Sequence, residues 1–170
     1  MARNIEIKAR IESVESLALK ALKLADSGPT YLSQDDTFFK CATGRLKLRA
    51  FSEQAGELIF YQRTNQAGPK ESFYIISRTS ELATLREALT LAHGQVGRVI
   101  KKRILFLIGQ TRVHLDIVEG LGHFLELEVV LAEGETSESG VEIAHDLMFQ
   151  LGVTSGQLVE AAYVDLLAES

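Results

Sequence analysis

Charged residues alternate with aliphatic ones through several short segments of this chain, and the charges are sorted by sign. Asn4-Ile5-Glu6-Ile7-Lys8-Ala9-Arg10-Ile11 opens the pattern. Arg45-Leu46-Lys47-Leu48-Arg49 repeats it with bases, and Phe124-Leu125-Glu126-Leu127-Glu128-Val129 repeats it with acids. Successive side chains of a strand point to opposite faces, so each segment puts its charges on one face and its aliphatics on the other. The region 98–118 shows the same sorting: Lys101 and Arg103 share a face, as do Arg112, His114 and Asp116.

A half-buried sheet normally turns its polar side to water, and any one of these strands fits that description. The set fits it poorly. Selection for solubility alone would mix signs, and like charges adjacent on one face cost stability unless a ligand or an opposite charge offsets them. The aliphatic faces also need covering, and the chain carries four amphipathic stretches able to do it. The expected fold is therefore α+β: an antiparallel eight-stranded β-barrel or tunnel, with helices packed outside and the charged faces turned into the lumen.

Strands are expected near 3–11, 34–40, 44–51, 56–63, 71–78, 98–109, 111–119 and 123–132, with a hairpin turn at Gly109-Gln110. Helices are expected over 14–26, over 81–92 behind Ser80 as N-cap, over 140–151 behind a Ser139/Glu142 capping box, and over 157–168. Gly94 and Gly152 stop the second and third. Pro29 and Pro69 both adjoin glycine and read as turns. Short links and the absence of repeats or linkers make residues 1–170 a single domain.

Net charge is −5, which argues against nonspecific nucleic-acid binding, so any anion site must be a local basic cluster. Cys41 is the sole cysteine; no internal disulfide forms, and a reducing cytoplasm is the expected location. No signal-peptide pattern precedes the first strand. The longest apolar run, residues 104–109, is strand-sized, so no membrane partner is expected.

A lumen lined by bases on some strands and carboxylates on others suits a polyphosphate and its metal ion. Lys and Arg bind phosphoryl oxygens, and carboxylates hold Mg²⁺ or Mn²⁺. Phosphoryl transfer depends mainly on positioning and electrostatics, so no Ser-His-Asp arrangement is needed.

At these residues the chain resembles the CYTH superfamily, the triphosphate tunnel metalloenzymes, nearly end to end. Asn4-Ile5-Glu6-Ile7-Lys8 resembles the family's Glu-x-Glu-x-Lys signature, Gln34-Asp35-Asp36-Thr37-Phe38-Phe39 its second strand, and Gly44-Arg45-Leu46-Lys47-Leu48-Arg49 its basic third strand. The stretch from Arg103 to Asp116, followed by Gly120-Leu121-Gly122 and Phe124 to Glu128, is most similar to the class IV adenylyl cyclase branch, as is Ala162-Tyr163-Val164-Asp165-Leu166-Leu167. The resemblance implies phosphate binding by Lys8, Lys47, Arg49, Arg63, Lys101, Arg103 and Arg112. It implies metal binding by Glu6, Asp116, Glu126 and Glu128, catalysis by Lys8, Glu126 and Glu128, Mg²⁺ or Mn²⁺ as cofactor, and a homodimer. Two positions depart from the family pattern. Asn4 stands where the first glutamate is usual, giving up a metal-binding charge. The fourth strand lacks its usual lysine, and Arg63 substitutes if it shares the face of Tyr61.

The implied activity is conversion of ATP to cyclic AMP and pyrophosphate. The alternatives are a triphosphate phosphohydrolase, of tripolyphosphatase or thiamine triphosphatase type, and a non-catalytic polyphosphate- or nucleotide-binding module. Among the remaining residues, His114 reads as a lumen spacer or acid/base, and His93, His123 and His145 as surface or cap residues. Cys41 reads as inert, Phe38, Phe39, Phe60 and Phe106 as core, and Gly68-Pro69-Lys70 as a turn.

Overall fold

The structure, a computed structural model, describes residues 2–63 and 66–170. Eight antiparallel strands close into a ring in the order β1-β5-β4-β3-β2-β6-β7-β8. They are β1 (Ala2–Arg10), β2 (Ser27–Phe39), β3 (Arg45–Ala50), β4 (Gly56–Arg63), β5 (Lys70–Thr79), β6 (Gln95–Ile108), β7 (Thr111–Val118) and β8 (Gly122–Val130). Four helices accompany them: α1 (Val14–Leu24), α2 (Leu82–His93), α3 (Ser137–Leu151) and α4 (Tyr163–Glu169). None is long and apolar enough to cross a membrane.

The barrel is inside-out relative to a usual β-protein, as the alternation implies. Ile5, Ile7, Val113, Leu115, Leu125, Leu127 and Val129 point outward and are buried beneath α1 and α3, with Leu17, Ala21, Ala144, Leu147 and Leu151 facing them. Leu82 of α2 covers Phe39 and Leu48. α4 differs: its Tyr163 and Val164 pack against Val99, Val118 and Phe124 on the inward face and close one end of the ring. The period-two aliphatics thus form the core between ring and helices, and the charges are left inside.

The register of β1 places acids and bases against β8: Glu6 lies opposite Glu128, and Lys8 opposite Glu126. On the other side of β8, Arg112 pairs with Glu128 and His114 with Glu126. Arg103 of β6 sits across from Asp116 of β7.

The strands and helices differ from the sequence expectation most at four places, besides an earlier start of β6 at Gln95 and an earlier end of α1 at Leu24. β2 begins at Ser27 rather than 34, because residues 27–33 ladder with the long β6. Pro29 lies inside that strand, at a register shift between Ser27 and Thr30, where an imide nitrogen costs no ladder bond. α2 is not capped by Ser80: Glu81 is the N-cap residue and makes no side-chain cap. α3 starts a turn early, at Ser137, because Thr136 rather than Ser139 accepts the capping amide.

The last difference is the largest. Residues 157–168 are not one helix. A short 3₁₀ turn at Ser155–Gln157 leads into an extended strap, and α4 begins only at Tyr163. β5 pairs with β1 only as far as Glu6, so the edge of β1 beyond it is open. The strap fills that edge: Val159 N–H donates to Lys8 O, and Leu158 bridges Ala9. Satisfying buried backbone groups outweighs the helical spacing of Val159 and Ala162.

α3 packs close on β1. A Cβ at Gly140 would lie 2.5 Å from Ile5 and 2.8 Å from Leu131. Gly140→Val is therefore expected to lower stability by about 1–3 kcal/mol through overpacking, measured as a reduced urea midpoint with unchanged slope.

Candidate active site in the barrel lumen

The lumen is a cavity of about 320 Å³, within the ordinary range for small-molecule sites. All seven bases expected to hold phosphates line it: Lys8, Lys47, Arg49, Arg63, Lys101, Arg103 and Arg112. Glu6, Glu57, Asp36, Glu126 and Glu128 line it too, with Asn4 and His114. Arg63 does share the lumen face with Tyr61 and bonds Glu6 at 2.8 Å. Arg45, on the same strand face as Lys47 and Arg49, instead pairs with Asp165 of α4.

The charges form three groups. The first is a basic cradle around Asp36. Arg49 grips that carboxylate with two bonds of 2.8 Å, Lys101 reaches it at 3.1 Å and Lys47 at 3.6 Å. Burial alone would raise Asp36, but Arg49, Lys101 and Lys47 outweigh it and hold the carboxyl well below its usual range. The three cations retain a net excess. Burial, then Arg49, pushes the Lys47 amine down to about 7, with Asp36 opposing. Burial likewise lowers Lys101 to about 8.

The second group is Arg103, Asp116 and Tyr163. Arg103 binds Asp116 through two bonds of 2.7 Å, and the Tyr163 hydroxyl donates to the same carboxylate at 2.8 Å. Asp116 is fully buried and does not line the cavity. The expectation that Asp116 joins the metal carboxylates is thus not matched by its placement, since both of its oxygens face donors. Its position fixes Arg103.

The third group is acidic. Glu126 and Glu128 occupy successive inward positions of β8, and Glu6 faces Glu128 across the ladder. Burial raises Glu6, Glu128 and Glu126 add to that, and Arg63 opposes it. For Glu126 the desolvation cost is outweighed by Lys8 and Arg103, which keep it well below the ordinary range. At Glu128 it is outweighed by His114 and Arg112, down to about 2. Burial and Arg103 press His114 down to about 4. It is therefore uncharged at neutral pH, leaving Arg112 (2.8 Å) as the standing partner of Glu128. One ligand atom each from His114, Glu126 and Glu128 lie within 4.8 Å of one another. His114 Nδ1 and Asn4 Oδ1 are buried without a hydrogen-bond partner. Opposed carboxylates and orphaned lone pairs are what a divalent cation would complete, so the residues present fit Mg²⁺ or Mn²⁺.

Two site residues are hard to see in the sequence. Asp36 belongs to the Gln34/Asp36/Phe38 face of β2, but Asp35 beside it is equally acidic and points to Arg98 outside. Only register separates them. Tyr163 resembles a helix-face residue, yet its ring packs under the Lys8 ammonium at 4.1 Å and edge-on against Phe124 at 4.9 Å. Phe38 lines the lumen as well as the core. Lys70 is buried, donating to Glu160 O and Gln66 O, which ties the strap down. His123 Nδ1 accepts from Val14 N at the start of α1.

The CYTH domain family model matches residues 2–163. The adenylate cyclase CyaB of Aeromonas hydrophila is 24% identical over 176 residues, spanning 98% of this chain and 89% of that protein. The PH1012 protein of Pyrococcus horikoshii superposes with a TM-score of 0.85 at 21% identity, over 96% of this chain and 98% of that one. Hippeastrum HpAC1, described as having a dominant triphosphatase activity, superposes at 0.66 with 14% identity, over 98% and 95%.

An anion entering the cradle favours charged Lys47 and Lys101. Their pKa values rise on binding, so protons are taken up where the free amines are partly neutral, from about pH 7 upward, and not well below it. Calorimetry of tripolyphosphate binding in buffers of different ionisation enthalpy is expected to show proton uptake at about pH 8. It should vanish near pH 6 after correction for the ligand's own titration, and Lys47→Met should reduce it.

Proposed function

Because the chain belongs to the CYTH domain family, we propose that it processes an organic triphosphate with Mg²⁺ or Mn²⁺ in this lumen, as an adenylyl cyclase that forms cyclic AMP and pyrophosphate. The supporting observation is convergence: seven cations and the carboxylates of Glu6, Glu126 and Glu128 share one cavity. An outward solvated face would have scattered them.

The roles follow from position. Lys47, Arg49 and Lys101 hold the terminal phosphates in the cradle, and Arg103, fixed by Asp116, grips the chain between cradle and acids. Glu126 and Glu128, with Glu6, would hold the cation, which would supply charge neutralisation at the phosphoryl oxygens. Glu126 and Glu128, kept well below their ordinary range, are weak bases, so their contribution is electrostatic and positional. In cyclisation the ribose 3′-oxygen attacks the α-phosphorus, its proton passes through water to the departing pyrophosphate, and the bond from the α-phosphorus to the oxygen it shares with the β-phosphate breaks as pyrophosphate leaves. Lys8, directly across from Glu126, places its positive charge or its proton at that leaving oxygen.

An organic rather than inorganic triphosphate is favoured by one wall. Ile59 and Tyr61 on β4 pair with Ile76 and Tyr74 on β5, and all four face the cavity. Inorganic tripolyphosphate would leave that apolar surface wet, whereas a nucleoside would cover it. Hydrolysis is the second reading, favoured by the likeness to HpAC1. It differs in nucleophile and target: a sugar hydroxyl in line with the α-phosphate, or a water in line with a terminal phosphate.

Product analysis of the purified protein with ATP, tripolyphosphate and thiamine triphosphate, under Mg²⁺ and under Mn²⁺, decides among these. Cyclic AMP with pyrophosphate is expected from ATP. Orthophosphate release would shift the assignment to a phosphohydrolase, and turnover of none of the three would leave a binding module. Ile76→Ala is expected to weaken ATP several-fold while leaving tripolyphosphate nearly unchanged, as read from KM or from binding isotherms.

A further inference from the structure

We infer that His114 is itself a ligand of the lumen cation, standing with Glu126 and Glu128 in the place expected for Asp116, and that this nitrogen tunes the site to Mn²⁺ over Mg²⁺. The inference rests on the metal-dependent reading above and concerns the identity of the ligands and of the ion.

Three observations carry it. The carboxylate nearest in pattern, Asp116, is spoken for: Arg103 takes both oxygens at 2.7 Å and Tyr163 donates to one of them. Removing it from that arrangement would strand a fully buried arginine, which is strongly destabilising. His114, two residues earlier on the same inward face, is the side chain that β7 presents to the acids instead. It is 6% exposed, its Nδ1 has no hydrogen-bond partner, and it offers a ligand atom within 4.8 Å of those of Glu126 and Glu128. Its approach to Glu128 Oε1, 3.8 Å, is too long for a hydrogen bond, so this nitrogen sits beside the two carboxylates without a partner.

The third observation is Asn4. A neutral amide occupies the lumen position two residues before Glu6, with its oxygen buried and unpartnered. Mg²⁺ is a hard ion that depends on anionic oxygens and sheds water reluctantly. A site with an imidazole among its ligands, in a lumen that is neutral rather than anionic at Asn4, loses affinity for Mg²⁺ and gains it for first-row transition ions, which accept nitrogen. Among the hard, oxygen-tolerant ions, Mn²⁺ takes both oxygen and nitrogen.

Pulsed electron paramagnetic resonance of Mn²⁺ on the full chain reads the ligand directly, independent of turnover. With one equivalent of Mn²⁺, alone and with tripolyphosphate, the expected result is ¹⁴N modulation from a coordinated imidazole. It should disappear when the protein is made with ¹⁵N-histidine, a control that leaves the fold untouched. Calorimetry is expected to show Mn²⁺ preferred over Mg²⁺ by tenfold or more, falling toward parity in His114→Gln. Bound Mn²⁺ without nitrogen coupling, or a Mn²⁺/Mg²⁺ ratio unchanged in a folded His114→Gln variant, would overturn the inference and leave the proposed function standing. Failure of either ion to bind, with and without tripolyphosphate, would overturn the metal-dependent reading and this inference with it.

Discussion

Ions that face inward must be paired, and the ring closes around that requirement. Asp36 is held by Arg49, Lys101 and Lys47 from β3 and β6. Asp116 is held by Arg103 and by a tyrosine from the C-terminal helix. Glu6 is held by Arg63 across from β4, and Glu128 by Arg112 on β7. Each ion pair spans neighbouring or facing strands, so a slip of one residue in either strand would send its charge to the helix-covered side and leave the partner unpaired in the lumen. Burial makes these contacts consequential, since a lone charge in such a place costs far more than a paired one. Helix packing outside and ion pairing inside therefore impose the same register from opposite faces.

The fold is largely legible because its main signal is local. Alternation over five to eight residues marks β1, β3, β7 and β8 and tells which side chains share a face. It also reports the inversion, once the helices are seen to need those aliphatics. The seven lumen bases follow from the same period together with the family resemblance. What escapes is non-local. The extension of β2 to Ser27 depends on the length of β6. The strap after Gln157 depends on an open edge of β1 that no feature of residues 158–162 announces. Asp35 and Asp36 are indistinguishable until register assigns one outward and the other to the cradle. Asp116 alternates in phase with Arg112 and His114, yet its depth and its arginine withdraw it from the cavity. Periodicity gives the face; it does not give the distance along the tunnel.

The C-terminal segment links stability to the site. Lys8 donates to Ala161 O at 3.3 Å and Lys70 to Glu160 O at 2.9 Å. Tyr163 then lies beneath the Lys8 ammonium. A strap that completes a strand edge thus also sets the height of a lumen cation, and the helix that follows buries Val164 against Gly97, where no Cβ would fit.

The carboxylate at the centre of the cradle has one more consequence. Arg49, Lys101 and Lys47 already share Asp36, so a visiting anion must compete with an internal one. A monoanion such as chloride or acetate meets cations whose charge Asp36 has already partly offset, and forfeits its hydration on entry. A chain of phosphates offers several charges at once, spaced along the tunnel. The built-in aspartate thereby sets an entry threshold that favours ligands carrying several charges over the abundant small anions of any aqueous medium.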